Sequence, residues 1–128
     1  MLLAAWGLTV LARRWNRSDN PVRFYLAMGT SIALAAAGGG ALVAGPWLTG
    51  LDPSRHVYTA TVWLLVLWTV CHVILGIIMH IYCVARRIAG WMTAQRDIDI
   101  VNVTLFWHFT ALTALLTVAV IAGFPLVD

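Results

Sequence analysis

Charge in this chain falls in short clusters, and the stretches between clusters are apolar and long enough to cross a bilayer. Positions 24–51, 56–85 and 100–127 carry no Asp, Glu, Lys or Arg. A spanning helix needs about 20 apolar residues, and in lipid every backbone N–H and C=O must find a partner within the protein. Helices meet that demand segment by segment. The chain is therefore predicted to be all-α: a polytopic helical membrane protein forming one membrane domain over residues 1–128. Three full spans are expected at 24–48, 57–84 and 101–123, the last ended by Gly123-Phe124-Pro125.

The run at 2–12, LLAAWGLTVLA, is too short to span and is followed by Arg13, Arg14 and Arg17. A signal peptide carries its positive charge before the apolar stretch. Residues 1–17 are therefore read as a partial or interfacial helix, equivalent to the second half of a span. Ser18 or Asp19 is expected to cap the next helix, with Pro21 in its first turn. Gly38, Gly39 and Gly40 predict a kink in a smooth, small-residue span. Residues 49–56 read as a tight polar turn, and 85–100 as a polar loop.

All eight basic residues are arginine. Segment 13–23 holds four, loop 85–100 holds three and turn 49–56 holds one. The positive-inside rule puts 13–23 and 85–100 in the cytoplasm and the C-terminus outside. A net charge of +3, gathered at span ends, reads as topology information and not as a nucleic-acid surface. Arg86, Arg87, Arg96 and Trp91 are expected to meet lipid headgroups. Asp97 and Asp99 stand where they would cap a helix start. Cys71 and Cys83, twelve residues or about 18 Å apart on one helix, cannot form a disulfide.

The chemistry-bearing residues inside the spans are histidines. His72, Gly76 and His80 recur every four residues on one helix, and His108 opens the last span at a depth similar to that of His80. An imidazole in the bilayer is costly without a partner. Two readings stay open from spacing alone. One is axial ligation of haem b by His80 and His108, or by His72 and His108. The other is hydrogen bonding between helices in a scaffold that holds no cofactor. No intramembrane carboxylate accompanies the histidines.

The run His72-Val73-Ile74-Leu75-Gly76, followed by a short polar connection and Phe106-Trp107-His108-Phe109, resembles the last two helices of subunit III of haem-copper cytochrome c oxidases. The likeness covers about residues 56–123. Family members often carry an acid where this chain has Ala111. The family has seven spans, so the chain resembles the C-terminal part of bacterial polypeptides that fuse subunits I and III, or a short or split version of it. The resemblance implies a non-catalytic, lipid-holding subunit of an aa3-type oxidase in aerobic respiratory electron transport, in a bacterial plasma membrane. Haem a and copper would reside in the partner subunit I, with subunit II also present, and none in this chain. Phospholipid would be bound. His72, Gly76, Trp107 and His108 would then tie the last two helices together.

Overall fold

In a computed structural model, which describes residues 1–123, four helices follow one another: α1 (Leu2–Arg17), α2 (Pro21–Leu48), α3 (Val57–Ile88) and α4 (Ile98–Gly123). Among the described residues there is no strand. Helices α2, α3 and α4 are each long and apolar enough to cross a membrane. The chain is thus a multi-pass membrane protein by length and composition. The expected stop at Phe124-Pro125 lies outside the described residues.

The helices form a closed ring, α1 against α2, α2 against α3, α3 against α4, and α4 back against α1. The inward seam is plainest on α3. There Thr59, Val62, Val66, Thr69, Val73, Gly76, His80 and Cys83 are buried, at alternating steps of three and four. Helix α1 repeats it with Ala5, Thr9, Ala12 and Asn16. A 3.5-residue repeat is the seam of helices packed side by side at small angles. The outward positions, such as Leu64, Leu67, Ile74 and Ile78, are large, apolar and more than half exposed, as a lipid-facing surface requires.

Helix α1 has 16 residues, about 24 Å, against 28 residues and about 42 Å for α2. It fills only one half of the ring. Its first turn reaches Gly38, where an added Cβ would come within 2.9 Å of the Leu2 side chain. Beyond that point a cavity of about 370 Å³ opens between Gly38 and Ala41 of α2 and Ala111 and Ala114 of α4.

Several boundaries differ from expectation. The arginine loop is shorter, because α3 runs on to Ile88 and takes up Arg86 and Arg87, while α4 starts at Ile98. Helix α2 is unbroken through Gly38–Gly40 and even through Pro46, which stands in its last turn. Those glycines serve close approach instead: Gly38 meets α1, and Gly39 lies under Val73 of α3. The cap of α2 is neither Ser18 nor Asp19. Asn20 Oδ1 accepts from the Arg23 N–H at 3.2 Å, with Pro21 at the first helical position, as expected. Asp19 instead takes φ = 50° to turn the chain. Asp97 and Asp99 each pair with an arginine, Arg17 at 2.7 Å and Arg86 at 2.8 Å.

Both arginine-bearing segments lie at one end of the ring. Arg87 Nη2 donates to Asp19 Oδ1 at 2.7 Å, and Asn16 Nδ2 donates to the Thr93 carbonyl at 3.2 Å. At the other end, Asp52 organises the 49–56 turn. It accepts from the Ser54 N–H at 2.9 Å and the Ser54 hydroxyl at 2.7 Å.

Candidate functional site

His80 is fully buried at the axis of the ring and touches a polar atom from every other helix. Its Nε2 lies 2.9 Å from Thr9 Oγ1 on α1 and 3.2 Å from Ser31 Oγ on α2. Its Nδ1 lies 2.9 Å from Trp107 Nε1 on α4 and 2.8 Å from the Gly76 carbonyl one turn back on α3. Helices α1 and α3 stand diagonally across the ring, so the Thr9–His80 bond spans its centre.

The partners assign the tautomer. Trp107 Nε1 is donor only. The hydroxyls of Thr9 and Ser31 both donate to the Ala5 carbonyl at 2.8 Å, which leaves their oxygens as acceptors. A neutral imidazole protonated at Nε2 and bare at Nδ1 then uses every donor: Trp107 gives to Nδ1, and Nε2 gives to Thr9. With the proton on Nδ1, the Gly76 carbonyl would gain a bond, but the buried indole N–H would lose its acceptor. The first arrangement satisfies more groups.

Gly76 makes room for this contact. A Cβ there would stand 3.0 Å from the Trp107 ring, and Trp107 is itself fully buried. The glycine of the first sequence motif and the tryptophan of the second are therefore the two surfaces that meet between α3 and α4.

His72 and His108 do not join that network. His72 Nδ1 lies 2.8 Å from the Trp68 carbonyl of its own helix, and its ring packs beside Trp68, Phe106 and Phe109. His108 Nδ1 lies 2.6 Å from the Thr104 carbonyl of its own helix, and its ring meets Trp6 of α1 edge-on at 5.4 Å. The hydrogen bond expected of these two residues between the last helices runs instead from Trp107 to His80. The reason is angular. Four residues advance an α-helix by about 40° beyond a full turn, so His72 and His80 point about 80° apart. On α4, Trp107 takes the inward position, and the next residue is turned by about 100°.

That geometry bears on haem ligation. Neither His80 and His108 nor His72 and His108 are brought face to face. Ligation by His80 would require one of its nitrogens to abandon protein partners that already satisfy it. Among the described residues, no group of three His, Cys, Asp or Glu side chains converges as metal ligands do.

At the arginine-bearing end, the Arg86 guanidinium stands 5.5 Å from the Tyr82 ring centroid and 5.3 Å from that of Trp91. A cavity of about 680 Å³ there is lined by Arg86, Trp91, Arg96, Asp97 and Asp99. Arg86 and Arg87 are committed to Asp99 and Asp19, and among the described residues only the Arg96 guanidinium of this loop lacks a side-chain partner.

Sequence reasoning missed Thr9, Ser31 and Asn16. A signal for them existed. Thr9 and Asn16 stand seven residues apart in an otherwise apolar helix, on the seam that Ala5 and Ala12 share.

Comparison with protein families, with curated proteins and with solved structures finds no match.

Proposed function

We propose that this chain is a non-catalytic structural component of a membrane-bound terminal oxidase, built like the last helices of subunit III. The observation that carries the reading is the contact of Gly76 with Trp107, because it joins the two motifs on which the resemblance rests. In this role the His80 network rigidifies the bundle through hydrogen bonds that have no competing water. Haem a and copper would belong to subunit I, with subunit II alongside. The apolar cavity beyond α1 and the free Arg96 beside Trp91 suit a phospholipid tail and headgroup. The arginine-bearing end would face the cytoplasm of a bacterial plasma membrane.

The test is a visible absorption spectrum of the tagged chain, purified in mild detergent from its native membrane, with its companions identified by mass. An a-type haem signal with a large catalytic partner is the expected result. A b-type signal that stays with this chain alone and vanishes on His108→Ala would replace this reading with a small cytochrome. Absence of both haem and partner would reduce the chain to a scaffold.

A further inference from the structure

The lipid-facing side of α3 and α4 carries a polar atom that this chain leaves unused. His72 has fifteen helical residues before it and sixteen after, so it sits at mid-span, about 22 Å along the helix from either end. The hydrocarbon half-layer is about 15 Å thick, and an imidazole is too short to reach water from its middle. The Nδ1 proton is fixed by the Trp68 carbonyl, which can only accept. Nε2 is therefore a bare acceptor, and no partner for it exists among the described residues. One turn away, the indole N–H of Trp68, a residue 56% exposed, is likewise unbonded. Around them Phe106, stacked at 18°, and Phe109 and Trp68, tilted by 53° and 52°, form an aromatic frame within 6.2 Å of the imidazole ring.

We infer that this face docks a membrane-spanning helix of another polypeptide, one that presents a hydrogen-bond donor at mid-depth to His72 Nε2. Lipid tails offer no donor, and the headgroups that could are a half-layer away. A helix carrying Ser, Thr, Asn, Gln or Trp at that level supplies the donor, and its backbone or side chain can accept from Trp68. The aromatic frame supplies a rigid contact surface. No property of an oxidase enters the inference, so it stands whether or not the partner carries haem.

The test places a photo-reactive benzophenone amino acid at Phe109 in the full chain and illuminates the native membrane. The adduct is identified by mass. The expected adduct joins Phe109's position to a spanning segment of another polypeptide, with a donor side chain within one turn of the linked residue. His72→Phe keeps the ring stack and removes the acceptor, and should lower the adduct yield about 3- to 20-fold, the range of intramembrane hydrogen bonds. His72→Gln should restore it, and Leu26→Ala on α2 should leave it unchanged. Trp68→Phe gives a second lowering that does not depend on the His72 variant folding. An undiminished yield in both His72→Phe and Trp68→Phe would overturn the inference. So would a donor-free partner segment, an adduct with a second copy of this chain, or adducts with lipid alone.

Discussion

Trp107 Nε1 donates to His80 Nδ1 at 2.9 Å, across 27 residues of chain and between two antiparallel helices. The two rings meet edge-on at 5.2 Å, over the hydrogen atom that stands for a side chain at Gly76. The other imidazole nitrogen faces Thr9 and Ser31, so this one pair couples all four helices.

Removing both partners should therefore cost less than the sum of the two single removals. Trp107→Phe leaves Nδ1 without its donor, and His80→Phe leaves the indole N–H without an acceptor and Thr9 without the donor at Nε2. Each is expected to cost about 1–3 kcal/mol. The double variant should recover about 0.6–1.7 kcal/mol of the sum, as intramembrane couplings do. Reversible unfolding in detergent micelles across the four-member cycle measures it. Strict additivity would mean that the bond does not act as described.

Glycines of this chain should respond to alanine with opposite signs. Gly76→Ala puts a Cβ 3.0 Å from a ring that is fully buried and hydrogen-bonded, so it cannot give way. A loss of about 1–3 kcal/mol is expected. Gly29→Ala meets nothing within 4 Å and gains helix propensity of up to about 1 kcal/mol. Thermal unfolding of both variants in the same detergent compares them.

Reversing Arg86, Arg87 and Arg96 to Asp should disturb orientation as well as local pairing. In the proposed orientation those arginines would hold the 89–97 connection in the cytoplasm, and two of them answer Asp99 and Asp19. A reporter fused at the C-terminus should read outside in the parent chain and mixed after reversal. An unchanged reading would count against the assigned topology.

Asp52 should titrate below its ordinary value of 3.8, because the Ser54 hydroxyl and then the Ser54 N–H stabilise its carboxylate. Its folded-state pKa is depressed, so its contribution to the turn is complete above about pH 4. That contribution fades as pH falls through the lowered value. Ser54→Ala should move the titration back upward. Carbon-13 shifts of a labelled Asp52 carboxyl follow both.

Much of the architecture was legible in the sequence. Long uncharged stretches made three spanning helices unavoidable, because lipid offers no other partner to the backbone. The half-length of α1 followed from eleven apolar residues ahead of three arginines, and Pro21 marked the start of α2. Boundaries were less legible. Arg86 and Arg87 read as loop because they are charged, yet their long side chains reach aspartates while the backbone stays helical.

What the sequence determined by itself was the number of spans, their order and the placing of both arginine clusters at one end. Charge and apolar length act locally, and each segment must settle its own backbone. Only the tertiary structure decided which histidine faces inward. His72, His80 and His108 are chemically identical and all lie in apolar helices. A 100° step per residue, read against a 3.5-residue seam, turns His80 to the axis and the others to the rim. That choice depends on Thr9 and Ser31, 71 and 49 residues away, which become neighbours only when the ring closes.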